Sequence, residues 1–185
     1  MSSRKRARDL TRWEEQARQW ATTAGRTLAL DLYRNDDPAI HPYGLGLVLW
    51  DGEKVWARLP ARCSADTPLA VRAGRPRRGD PPPEPRIGDW LVTSHRVAGR
   101  LWPDSLSWWE WASVVGVRVD LSPGRELVQL DVQEDADPVS WTGPGVAPLA
   151  VAAVFHLYGA RAMIDHPGLE LLRSTGHPTS APAPE

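Results

Sequence analysis

The chain is poor in cysteine, phenylalanine and lysine, and these shortages narrow what it can be. It has one Cys and one Phe among 185 residues. Cys63 alone cannot form an intramolecular disulfide, as is typical of proteins of the reducing cytoplasm, so we expect a cytoplasmic location. No apolar run approaches the ~20 residues of a membrane span. The basic start, Ser2–Arg6, is not followed by the apolar stretch of a secretory signal.

The chain also lacks an excess of charge of either sign. The formal net charge is −1, which provides no global attraction to nucleic acid or to an anionic membrane. Lysine occurs only at Lys5 and Lys54, so arginine supplies nearly all of the positive charge. Hydrophobic residues make up 42% and charged residues 24%. This balance is typical of a globular chain, and the length fits one domain with extensions.

The pattern of hydrophobic residues predicts several short strands and one apolar helix. The strands are predicted at 45–49, 55–63, 90–94, 96–101, 112–121, 126–132 and 139–141. In 112–121, alternation puts Val115, Val117, Val119 and Leu121 on one face. An apolar helix follows from Pro148 and ends at Gly159. We therefore predict a mainly β fold with α, a β-barrel or sandwich of about seven strands capped by a C-terminal helix.

Three segments extend or interrupt this predicted domain, which spans residues 45–173. Residues 1–34 form a basic, amphipathic helical extension, with a capping box at Thr11–Glu14 and a helix end near Gly25. Its apolar stripe is Leu10, Trp13, Ala17, Trp20 and Ala24. We expect the stripe to pack on the barrel, with a partner-binding helix as the alternative. Residues 64–88 are rich in Pro and Arg and predict a long loop, and 174–185 predict a disordered tail.

Three short segments carry a resemblance to a known family. They are Asp51–Ala57, with its Gly52-Glu53 opening, Gly88–Val97, with Thr93 three residues before Arg96, and Trp108–Val117. In this order the segments resemble a bacterial pleckstrin-homology-like (PH/GRAM-like) domain, over roughly residues 45–160. The chain also resembles proteins common in actinobacteria. The resemblance implies a small barrel with a capping helix, and a loop after the first strand that holds anionic headgroups.

The arginines of the long loop are the first candidate site. Guanidinium groups suit phosphate, so they predict binding of an anionic lipid headgroup or a phosphate, although a solvated loop would show the same residues. The arginines concerned are Arg72, Arg75, Arg77, Arg78 and Arg86.

A tryptophan cluster is the second candidate site. In a regular strand Trp109 and Trp111 lie on the same side as Val115, which predicts that both are in the core. Trp108 then points outward and could contact a peptide or a protein.

No arrangement of residues predicts catalysis or metal binding. Zinc sites on helices place histidines four residues apart, and neither His95, His156 nor His166 has such a partner. Ser94 and His95 are neighbours, and on a strand neighbours face opposite ways. We read His166, before Pro167, as a helix cap. We expect no enzyme activity, no metal and no cofactor.

The sequence therefore favours a binding or scaffold module whose partner is a protein. The alternative is binding of an anionic headgroup or phosphate through residues 72–86. A third reading, a nucleic-acid accessory protein, depends only on the basic N-terminus at Arg4, Lys5, Arg6 and Arg8.

Overall fold

The structure, a computed structural model, consists of one antiparallel sheet and three helices. It describes residues 3–36, 38, 47–64, 87–102, 105–133 and 138–173. The helices are α1 (Ser3–Arg34), α2 (Ala147–Asp165) and α3 (Glu170–Arg173). The strands are β1 (Val55–Cys63), β2 (Ile87–Thr93), β3 (Arg96–Trp102), β4 (Ser105–Glu110), β5 (Val114–Asp120), β6 (Leu127–Val132) and β7 (Val139–Thr142). The arginine loop and the C-terminal tail lie outside the described residues.

The seven strands form a sheet in the order β4-β3-β2-β1-β7-β6-β5. Its two halves meet between β1 and β7, where only Arg62–Thr142 and Cys63–Trp141 are paired. The outermost strands, β4 and β5, follow each other in the sequence but are not paired. The prediction of seven strands with a C-terminal helix is confirmed at this level. The sheet is not closed into a barrel, however, so that part of the expectation is corrected.

The structure differs from the predicted strands in two places, since one predicted strand forms no ladder in its described part and one observed strand was not predicted. Leu47 is buried and Leu49 packs beside it, yet the described part of the predicted strand 45–49 has no ladder. The missed strand is β4, which pairs with β3 from Trp102–Ser105 to Arg96–Glu110. Its sequence, Ser-Leu-Ser-Trp-Trp-Glu, mixes small and very large residues, and this hides the alternation that marks a strand.

The strand predicted over 112–121 is also corrected at its start. A 3-10 turn occupies Trp111–Ser113, and β5 begins at Val114. The register then slips between Val114 and Gly116, so Val115 is the extra residue of a β-bulge and is 60% exposed. Val117 and Val119 do pack on the core, as predicted.

Helix α2 forms the centre of the core because it is apolar on nearly every side. All eight residues from Ala147 to Val154 are buried. Gly159 interrupts the helix with a φ of 82°, a left-handed value that glycine adopts without steric cost, and the chain then resumes the helix to Asp165. The predicted stop at Gly159 is thus an interruption. Contrary to our expectation of no such run, α2 is long and apolar enough to span a membrane by length and composition. Core helices meet the same criterion, and half of this one is buried.

Helix α1 differs most from its prediction. It runs through Gly25 to Arg34, and the residues it buries are Ala21, Gly25, Leu28 and Leu32. A Cβ added at Gly25 would lie 3.3 Å from Ala147 of α2, so glycine here permits close helix packing and does not end the helix. The predicted stripe is mostly exposed, since Leu10, Trp13 and Trp20 are 56%, 39% and 47% accessible.

Candidate functional site

The turn between β2 and β3 is built by one threonine. The Thr93 hydroxyl oxygen accepts hydrogen bonds from the backbone N–H of His95 at 3.1 Å and of Arg96 at 3.0 Å. Ser94 ties this turn to the start of β1, because its N–H donates to the Lys54 carbonyl and its hydroxyl accepts from the Lys54 N–H. The turn therefore has a fixed shape, with the side chain of Arg96 directed inward.

A buried ion pair lies beneath this turn. The Arg96 guanidinium donates from Nε and Nη2 to the two carboxylate oxygens of Glu53, both at 2.9 Å. Thr93 and the backbone N–H of Trp50 also donate to this carboxylate, at 2.6 and 2.8 Å. Burial by itself raises the pKa of Glu53, but the hydrogen bonds from Arg96, Thr93 and Trp50 outweigh it and hold the pKa below its usual value. The carboxylate is therefore charged and fully bonded.

Two exposed tryptophans lie against the same guanidinium. The Arg96 Cζ atom is 4.1 Å from the ring centroid of Trp50 and 5.8 Å from that of Trp108. Trp108 is 46% exposed and Trp50 is 39% exposed. Leu106, two residues before Trp108 on β4, shares its face and is also exposed. We call Trp50, Leu106 and Trp108 the tryptophan surface. Both of its indoles are held on a buried cation that cannot move without breaking the Glu53 pair.

A second aromatic layer lies behind the turn. His156 of α2 is stacked between Trp56 and Trp111, with centroid distances of 5.3 and 5.1 Å and interplanar angles of 13°. The Trp111 indole N–H donates to the Thr93 carbonyl at 2.8 Å. Burial, with a smaller contribution from the charge of His95, lowers the pKa of His156 to about 4. The imidazole is therefore neutral at pH 7.

Only some of the residues predicted to form a site lie among the residues that the structure describes. Trp108 points outward, while Trp109 packs on the core and Trp111 is buried. The burial of Trp111 does not result from strand alternation, as was predicted, because the chain forms a 3-10 turn at Trp111–Ser113 and is not a continuous strand there. The loop arginines (Arg72, Arg75, Arg77, Arg78 and Arg86) lie outside the described residues, so their role in binding stays a prediction. The described residues do not include the side chains of Arg4, Lys5 and Arg6.

Two expectations about the histidines have different outcomes. The His166 imidazole accepts a hydrogen bond from the Gly168 N–H, so its predicted capping role is confirmed. Ser94 and His95 do contact each other, at 2.8 Å between Oγ and Nδ1, because they lie in a turn and not on a strand. The expectation that Ser94 and His95 face opposite ways was therefore wrong. The described residues contain no group of three His, Cys, Asp or Glu side chains able to hold a metal ion.

Trp50, the Glu53–Arg96 pair and the partly buried His156 were not predicted as parts of one site. A signal was present, since Gly52-Glu53 and Thr93-Ser94-His95-Arg96 both place a charged residue next to an apolar strand. Their contact across 43 residues of sequence became visible only in the fold.

A second exposed apolar surface lies between α1 and the sheet. Trp13, Ala17 and Trp20 face Pro60 across an open groove, next to an ion pair between Arg58 and Asp89 at 2.8 Å. Pro60 lies where β1 is paired with β2 but not with β7, which fits the edge-like position expected for a proline.

Comparison with known proteins gives no assignment for either surface. No family model matches the chain, and no curated protein or solved structure matches it.

Proposed function

We propose that this chain is a cytoplasmic, non-enzymatic binding module with a PH-like fold, and that it contacts a protein partner through the tryptophan surface. Seven antiparallel strands and a C-terminal helix support the PH-like assignment at the level of layout. The Glu53–Arg96–Thr93 contacts add support, because they give two of the three segments that carry the resemblance one shared structural role.

The observation that carries the functional proposal is the exposure of Trp50 and Trp108 on a rigid support. Tryptophan is enriched among the residues that dominate protein interfaces, because a large ring buries much apolar area. Here the ion pair of Arg96 with Glu53, which is almost inaccessible to solvent, holds both rings. Preorganised rings lose little conformational entropy on binding, which favours affinity.

A pair of tryptophans with matched exposure provides the test. Trp108 and Trp20 are 46% and 47% exposed but lie on different surfaces. After a partner has been isolated from the native host, its dissociation constant is measured by calorimetry with the wild type, Trp108→Ala and Trp20→Ala. We expect Trp108→Ala to cost about 2 kcal/mol or more, roughly 30-fold in affinity, and Trp20→Ala to cost little. Equal affinities for the wild type and Trp108→Ala would show that this surface is not the interface.

Salt dependence separates this function from binding of an anionic headgroup or phosphate. Apolar burial responds weakly to ionic strength, whereas attraction between exposed charges decays within a Debye length. The same proteins, and a variant with Arg75, Arg77 and Arg78 changed to Ala, are therefore assayed against vesicles containing phosphatidylserine at low and high salt. Binding that salt and the arginine variant abolish, and that Trp108→Ala leaves intact, would favour the headgroup function.

A further inference from the structure

His156 occupies an unusual position for an ionisable side chain. Its Nε2 atom is buried and has no hydrogen-bonding partner among the described residues. The groups that face the ring are Trp56 from β1 and Trp111 from the 3-10 turn, both uncharged, and Phe155 from its own helix. His95, in the β2–β3 turn, is the titratable group that acts on it electrostatically. Protonation would thus place a positive charge, with N–H donors at both ring nitrogens, in an aromatic pocket where Nε2 has no acceptor among the described residues.

A short series of contacts connects this ring to the tryptophan surface. His156 stacks on Trp111, and the Trp111 indole N–H holds the Thr93 carbonyl. The Thr93 hydroxyl in turn fixes the backbone N–H of Arg96. The Arg96 guanidinium then supports Trp50 and Trp108. Each link is a direct contact, and Trp111, Thr93 and Arg96 are buried, so a displacement of Trp111 is transmitted to the turn.

We propose that His156 is a proton-controlled lock, which in its neutral form holds the tryptophan surface in its binding geometry and on protonation releases it. The inference concerns how neutral His156 holds the surface proposed above, with release confined to acid well below neutral pH, and its relevance to binding depends on that proposal. The charged ring leaves the space between the two indoles, and Trp111 loses its stacking partner. The hydrogen bond from Trp111 to Thr93 then weakens, and Arg96 no longer keeps both exposed rings in place.

Nuclear magnetic resonance tests the lock without any partner. The His156 ring carbons and the indole N–H signals of Trp108 and Trp111 are followed from pH 7 to pH 3.5, with circular dichroism at each pH. We expect the indole signals to shift with the midpoint of His156. The shifts should be absent in His156→Phe, which keeps an aromatic ring in the stack, and present in His166→Gln. A titrating His156 with unshifted Trp108 signals would overturn the proposal, as would Trp108 shifts that persist in His156→Phe.

A second variant tests the connection itself. Trp111→Phe keeps a ring against His156 but removes the donor to Thr93, so His156 should still titrate while the Trp108 signal no longer follows it. Retained coupling in this variant would show that the proposed connection is wrong. Loss of the circular dichroism signal at the same midpoint would also refute a local lock, because the whole fold would then be responding. Neither outcome depends on whether Trp108 binds a protein, which the affinity measurement decides separately.

Discussion

The burial of His156 predicts that the stability of the folded state falls in mild acid. Folding lowers its pKa from 6.5 to about 4, chiefly through burial. The unfolded chain therefore binds more protons than the folded chain between these values. The contribution is fully present above pH 6.5 and is lost as the pH falls toward 4. A shift of this size corresponds to about 3 kcal/mol, since one pKa unit is worth about 1.4 kcal/mol.

Stacking on two indoles opposes this effect, because an imidazolium ion is attracted to aromatic faces. Cation–π attraction is worth about 0.5–1 kcal/mol at exposed sites and more when the charge is desolvated. The figure of about 3 kcal/mol is therefore an upper value, and a loss of about 1–3 kcal/mol is the expected range. A raised pKa for His156, above 6.5, would mean that aromatic attraction outweighs burial.

Urea denaturation at several pH values between 7 and 4.5 measures this loss. Glu53 and Asp120 also have lowered pKa values, but these carboxyl groups lose their contributions at more acidic pH than this range. His156→Phe should flatten the pH dependence of the free energy of unfolding. His166→Gln is the control, because His166 also has a lowered pKa, caused first by burial and then by the charge of Arg173. A wild type with constant stability over this range would refute the reasoning, as would a His156→Phe variant with an unchanged slope.

Three further predictions concern packing and charge. Arg96→Met leaves the Glu53 carboxylate buried without its counter-charge, so chemical denaturation should show that the free energy of unfolding falls by about 3–5 kcal/mol. The double variant with Glu53→Gln should recover part of this loss. An Arg96→Met protein as stable as the wild type would refute the role of the pair. Gly25→Val places a side chain against α2 and should lower the free energy of unfolding by about 1–3 kcal/mol, whereas Thr23→Val on the exposed face should change it little. Equal melting temperatures for the two variants would contradict this prediction. Trp20→Ala should cost much less than the roughly 3–5 kcal/mol of a buried tryptophan, and a loss of that size would show that the α1 groove is closed in solution.

The composition and periodicity of the sequence determined the local elements. Alternation identified β1, β6 and β7, because each has one face on the core. Strands β2 and β3 were predicted as short runs between turn residues, and both of their faces are buried, since Trp90 and Val97 pack in one apolar cluster and Leu91 and Ala98 in another. Helix α2 was evident from a nearly continuous apolar run, since a helix buried on all sides needs no polar face. The capping role of His166 also followed from sequence, because a cap depends on its immediate neighbours and on Pro167.

The tertiary structure decided which of the possible faces are covered. The α1 sequence offers two apolar stripes, and only contact with α2 and α3 determines that Ala21, Gly25, Leu28 and Leu32 are the buried one while Trp13 and Trp20 face an open groove. In the same way, Glu53 and Arg96 are two charged residues far apart in the sequence. They become a bonded pair beneath Trp50 only because β2 pairs with both β1 and β3, and Trp108 lies above them because β4 pairs with β3. Local patterns fix periods and turns, but a site assembled from distant strands depends on pairings that no single segment encodes.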